Sequence, residues 1–316
     1  MELSLVLFFI GFAILIYSAR LLVRGAASIA TILNITPWVI GVVIVGIGTS
    51  IPELSISISA ALAGNNIGLG TIIGSNTFNL LFILGLAALF SPLYIKEEWY
   101  EDIFINIVAV IIGVLVIFLP LLGDRTFFGL TRAEGALLFG FFILWLFLMF
   151  RRKGIRDDGI DYQILASFTS VIFIIVGLAG VFLGGEWVVS GAETLALLFS
   201  VPPAIIGLTV VAVGTSLPEL TVSLVALLQK KNSIAVGNII GSNIFDFLGI
   251  LGITALIKPL MVLEKVGIDA LTTLAATIII AILIFAVGKR GMLSRAEGVI
   301  LILSYIAYLV FIFLNM

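Results

Sequence analysis

The chain has 316 residues, 62% of them hydrophobic and 11% charged, with a formal net charge of −2 and neither cysteine nor histidine. A soluble core does not absorb that much apolar length, and its runs reach the roughly 20 residues that a bilayer-crossing helix needs. The short alternating segments of an outer-membrane barrel do not match it. Lacking Cys and His, the chain has no disulfides, no thiolate chemistry, no histidine proton relay and no soft or borderline metal site.

In chain order, apolar windows fall at 3–22, 37–63, 68–91, 103–122, 130–150, 163–185, 203–228, 234–257, 267–287 and 296–314. They predict an all-α polytopic membrane protein of ten transmembrane helices, with the bilayer as its partner. The first window follows Glu2 rather than a basic segment and is read as a retained helix, not a cleaved signal. The charged stretch RRKGIRDDGID, 151–161, is read as a solvated linker. Counting alternate sides of ten spans, Arg125, Arg132, Lys258 and Lys265 share the side of the N-terminus, and the other twelve basic residues lie opposite. The positive-inside rule then places both termini outside the cell membrane and the linker in the cytoplasm.

The two halves repeat. WVIGVVIVGIGTSIPELSISISAAL (38–62) aligns with AIIGLTVVAVGTSLPELTVSLVALL (204–228), and LGTIIGSNTFNLLFILGLAALFSPL (69–93) with VGNIIGSNIFDFLGILGITALIKPL (236–260). Residues 1–150 and 162–316 are therefore expected to be five-helix repeats, with shared motifs at 38–93 and 204–260. Five spans is an odd number, so the second repeat is expected to enter the membrane inverted. LTRAEG (130–135) and LSRAEG (293–298) also correspond, but as capping boxes, in which Thr131 or Ser294 exchanges hydrogen bonds with Glu134 or Glu297.

The chemistry lies in the repeated motifs. At helical spacing, Gly46, Thr49, Ser50, Glu53 and Ser57 make one stripe, and Ala212, Thr215, Ser216, Glu219 and Ser223 make its counterpart. In the next spans Ser75 and Asn79 are four apart, as are Ser242 and Asp246. An acid in a membrane helix is costly unless it faces the protein interior, and three of them within repeated Ser/Thr/Asn patterns argue for function over structural filler. Pro52 and Pro218 are expected to break their helices near Gly48 and Gly214, freeing carbonyls such as those of Gly46 and Ala212 as ligands. The repeated glycines Gly41, Gly70, Gly74, Gly207, Gly237 and Gly241 fit helix packing as well as site shaping. Every candidate ligand is an oxygen, which suits calcium, or sodium of nearly equal radius, and not zinc or copper. These four spans contain no Lys or Arg to pair with an anion, and no aromatic stands on the stripes for an organic cation.

The paired words GTSIPE with GSNTFN and GTSLPE with GSNIFD resemble the alpha-repeats of the cation/calcium antiporter superfamily, in the pattern of the prokaryotic sodium/calcium exchangers. The resemblance spans the whole chain. It implies an antiporter, not an enzyme, which uses sodium to move calcium, carries no cofactor, meets no nucleic acid and works as a monomer. It also implies a calcium site from Thr49, Glu53, Thr215 and Glu219. One sodium site would draw on Gly46, Ser50, Ser75 and Glu219, and its mirror on Ala212, Ser216, Ser242 and Glu53, with Asn79 and Asp246 in a middle position. Two departures stand out: Thr71 where the second copy has Asn238, and Gly46 where the family pattern has alanine. A calcium/proton antiporter and a potassium-dependent sodium/calcium exchanger are the alternative readings, and Asp246 keeps both open.

Overall fold

The computed structural model describes residues 2–64, 67–119, 129–151, 164–199, 212–261, 264–287 and 291–314. The linker at 151–161, beyond Arg151, and the start of the seventh window, 203–211, lie outside them. The described helices are α1 (Glu2–Leu33), α2 (Pro37–Thr49), α3 (Ile51–Ala63), α4 (Gly68–Phe90), α5 (Glu97–Phe118), α6 (Arg132–Arg151), α7 (Ser167–Leu198), α8 (Ala212–Gly214), α9 (Leu217–Leu228), α10 (Asn232–Ile257), α11 (Val266–Phe285) and α12 (Arg295–Leu314). Among them, eight are long and apolar enough to cross a membrane, and nine if α2 and α3 make one broken span. The best apolar windows of α7 and α12 are only 28% and 22% buried, whereas those of α10 and α4 are 89% and 78% buried. The core therefore runs along the two helices that carry the GSN words.

Two compact units emerge, and each draws on both sequence halves: Met1–Pro52 with Met149–Gly241, and Glu53–Leu148 with Ser242–Met316. In the first unit α1 and α7, both 32 residues long, pack antiparallel. A Cβ on Gly11 would come within 2.9 Å of Gly184 O, one on Gly177 within 2.7 Å of Leu22 N, and one on Gly25 within 2.7 Å of Ser170 O. Small residues let the two backbones touch, the usual device where lipid removes the hydrophobic drive between helices. Ser170 Oγ donates to Ser28 Oγ at 2.8 Å and closes one end of the pair.

The same unit holds α2 against α10. A Cβ on Gly41 would lie 2.8 Å from Ile234 Cα, and one on Gly241 would run into Val42 O. For Gly41, Gly237 and Gly241 close packing accounts for the missing side chain, whereas a Cβ on Gly70 or Gly74 would meet nothing within 4 Å and Gly207 lies outside the described residues. Thr36 caps α2 by accepting from Val39 N–H at 3.3 Å, and Pro37 opens the helix where its missing donor is harmless.

In the second unit two short antiparallel ribbons pair β1 (Leu93–Tyr94) with β4 (Met292–Leu293) and β2 (Gly129–Leu130) with β3 (Leu260–Met261). The capping boxes form as the sequence implies: Thr131 N–H donates to Glu134 Oε2 at 2.8 Å and Ser294 N–H to Glu297 Oε2 at 2.6 Å. The helices they start pack by glycine contact, Gly135 against Gly252 and Gly298 against Gly85.

Candidate metal centre

The GTS-x-PE words break the helix, but two residues later than expected. Ser50 has φ −89°, ψ 11° and Ser216 φ −94°, ψ 7°, the same bridge-region geometry in each copy. Pro52 and Pro218 sit in the first turn of the helices that follow, where proline is tolerated, so the chain yields just ahead of them. Gly48 and Gly214 serve contact instead: a Cβ on either would strike α7, at Leu178 and Val189 respectively.

In the first unit the break at Ser50 brings its hydroxyl to Glu219, Ser50 Oγ donating to Oε1 at 3.0 Å, with both residues about 1% exposed. Asn238 organises the rest. Its Nδ2 donates to Glu219 O at 3.2 Å and to Ser223 Oγ at 3.0 Å, while its Oδ1 lies 3.1 Å from the Thr49 hydroxyl. Ser223 in turn donates to Ala235 O at 3.3 Å. The oxygens of the stripe are thereby locked in orientation, as coordination of a hard cation requires. Gly46 O accepts from Ser50 N–H at 3.3 Å and competes, at 3.3 Å, with Asn238 Oδ1 for the single hydrogen of the Thr49 hydroxyl. Ser216 Oγ is buried with no hydrogen-bond partner among the described residues. Thr215 is half-buried beside it, and Ala212 opens the short α8.

The second unit assembles Glu53, Ser75, Asn79, Ser242 and Asp246, all at or below 2% exposure. Ser75 Oγ lies 3.5 Å from Glu53 Oε1. Asn76, which sequence reasoning passed over, donates to Asp246 Oδ2 at 2.8 Å and to Ile72 O at 2.8 Å. Its repeat counterpart Asn243 accepts from Asn79 Nδ2 at 3.1 Å. These are one interaction drawn twice, an asparagine of one GSN word bound to the last residue of the other. The buried Oδ1 atoms of Asn76 and Asn79 have no hydrogen-bond partner among the described residues, leaving neutral oxygen ligands beside the acid.

A further local feature has no counterpart in the sequence reading. Residues Gly41–Gly46, Phe78–Ile83 and Phe245–Ile250 wind as π-helical turns. Such turns are rare and gather at functional sites; here they carry Gly46, Asn79 and Asp246. The one available signal was the repetition of GSN itself, which marks Asn76 and Asn243 as well as the serines.

Fold and site together define a polytopic helical membrane protein whose buried acids are dressed by hydroxyls and amides, on helices with no basic residue. The chain belongs to the sodium/calcium exchanger family, whose pattern it matches over residues 3–151 and 169–314. It is 37% identical over 311 residues to the putative antiporter CaxA of Alkalimonas amylolytica, covering 95% of both chains. With the sodium/calcium exchanger MaX1 of Methanosarcina acetivorans it shares 32% over 340 residues, covering 96% of this chain and 97% of the other. Among solved structures it resembles the sodium-calcium exchanger NCX_Mj, with a TM-score of 0.82 and 29% identity over 96% of this chain and 97% of that one.

Proposed function

We propose that the protein is a secondary active antiporter that exchanges Na⁺ for Ca²⁺ across the cell membrane by alternating access. The observation that carries this is chemical. Glu53, Glu219 and Asp246 are each about 1% exposed, stand on helices without Lys or Arg, and are approached by the neutral hydroxyls of Ser75 and Ser50 and by the side-chain amide of Asn76. Carboxylates in that setting need a cation to balance them, and an all-oxygen ligand set selects hard ones.

We assign calcium to Thr49, Glu53, Thr215 and Glu219. Sodium is assigned to Gly46, Ser50, Ser75 and Glu219 in one place and to Ala212, Ser216, Ser242 and Glu53 in another, with Asn79 and Asp246 lying between. One Ca²⁺ or sodium ions can neutralise the same two glutamates, so the ions compete and exchange follows. Without an ion, two buried like charges oppose the passage between inward- and outward-facing states, which limits leak. The ten-helix inverted-repeat architecture is part of this reading. Supporting it, α1 and α7 begin the two sequence halves and pack antiparallel, and each ribbon joins a strand of one half to a strand of the other. A monomer with both termini outside completes the proposal.

Reconstituted into liposomes loaded with sodium, the protein should take up calcium when sodium is diluted outside, with or without potassium. Uptake driven by a pH gradient alone would make it a calcium/proton antiporter, and uptake that needs potassium would make it a potassium-dependent exchanger. Absence of sodium-driven uptake refutes the reading.

A further inference from the structure

The first unit contains a cavity of about 420 Å³ that plays no part in the broken-helix oxygens. One wall is α1, where Tyr17, Arg20 and Arg24 fall on a single helical face; the other is the end of α9, with Val225, Leu228 and Gln229. Arg20 and Arg24 are exposed, and neither makes a hydrogen bond or ion pair among the described residues. Lys231, just past α9, adds a third positive group: its ammonium donates to Val23 O at 3.5 Å, and burial with the nearby Arg24 charge holds it down to about 8. Three cations thus gather at one edge, with no acid paired to either arginine among the described residues.

The fold does not demand them. In the second copy the positions aligned with Arg20 and Arg24, 166 residues on, are Glu186 and Ser190, and α7 forms a helix of the same length. The arginines also sit at a telling depth. From Leu3 to Ala19 the helix is almost wholly apolar, close to the roughly 20 residues that cross the hydrocarbon, so Arg20 and Arg24 come at the headgroup level. Tyr17 stands one turn before them, where aromatic side chains favour the interface. On the facing wall Leu228 is 73% exposed and offers apolar surface beside the charge.

We propose that this cavity binds the phosphate-bearing headgroup of an anionic phospholipid. The guanidinium forks of Arg20 and Arg24 hold the phosphate, and the Leu228 flank accepts the acyl chain. Guanidinium matches phosphate geometry with paired N–H donors, and basic pockets between membrane helices are suited to lipid headgroups. The assignment holds for either leaflet and does not depend on which ions are exchanged.

The test is native mass spectrometry of the purified protein with added phosphatidylglycerol or phosphatidylcholine. We expect discrete phosphatidylglycerol adducts that fall at least fivefold in the R20Q/R24Q double variant, with phosphatidylcholine adducts alike in both proteins. Leu228→Glu, which places an acid on the opposite wall at an exposed position, should lose the same adducts by a route that spares the arginines. Millimolar inorganic phosphate should leave the adducts in place; displacement by it would make the cavity a free-anion site and overturn the lipid assignment. Equal phosphatidylglycerol retention by wild type and both variants would also overturn it.

Discussion

The segments around Glu53 and Glu219 share a sentence of sequence, yet different neighbours hold them. Both segments break at the same serine with nearly the same dihedrals, and both carry a later serine that donates to a carbonyl at 3.3 Å, Ser57 to Gly68 O and Ser223 to Ala235 O. Around Glu219, however, Asn238 ties together the acid's own carbonyl, Ser223 and Thr49. The first copy has Thr71 at that position, half-buried and with a single hydroxyl. The motif fixes the backbone break, and single substitutions beside it decide how the oxygens are held.

If the two glutamates are equal partners in charge balance, their loss should be equally severe. Glu219→Gln and Glu53→Gln should each cut sodium-driven calcium uptake about a hundredfold or more, since removing a buried charge from its counter-ion costs several kcal/mol. Both variants should elute as folded protein. Unequal losses would show that one copy dominates.

A gentler substitution addresses the second asymmetry, Asn79 against Asp246. Asp246→Asn makes the second copy match the first and keeps one side-chain oxygen for the Asn76 donor at 2.8 Å. Exchange should slow by roughly tenfold, the effect of about 1.4 kcal/mol, and still run on sodium alone. Loss as complete as that of Glu219→Gln would place Asp246 among the indispensable ligands.

Asn238→Thr erases the third difference and should act on stability more than on chemistry. It removes the Nδ2 hydrogen bonds to Glu219 O and Ser223 Oγ inside the buried network, at a cost of about 1–3 kcal/mol. A lowered melting temperature in detergent, with Thr71→Asn showing no matching gain, would confirm that the stabilising role belongs to position 238 and has no equivalent at position 71.

How much of this was legible beforehand follows from the physics of each feature. The repeat, the oxygen stripes and the capping boxes are local patterns, and they could be read from spacing alone. The helix break was anticipated from proline, but its position was not. Gly48 and Gly214 looked like the flexible points, and only the contacts with Leu178 and Val189 reveal that they are small because α7 presses on them. The π-helical turns were invisible because one extra residue in a turn leaves no compositional trace. Asn76, Asn243 and Asn238 were on the page as letters, yet their roles depend on which helix lies alongside, and that is tertiary information. The compact units carried the same lesson, cutting across the sequence halves at Pro52 and Gly241.

The last difference lies in the turns that follow the broken helices. Gly64 and Lys230 occupy the same left-handed position, at φ 79° and φ 59°, but the first copy continues with Asn65 where the second has Lys231. Burial, then the Arg24 charge, hold the Lys231 ammonium at about 8 in the folded protein, against 10.5 for the free side chain. Between those values the unfolded chain binds more protons than the folded one, so stability should rise as pH goes from about 8 to about 10.5. Below pH 8 both states are protonated and the burial penalty is constant. Thermal melts across this window should show the rise in the wild type and its loss in Lys231→Met, in which no ammonium remains to be desolvated. A variant that keeps the same slope would move the pH response away from this turn and erase the last contrast between the copies.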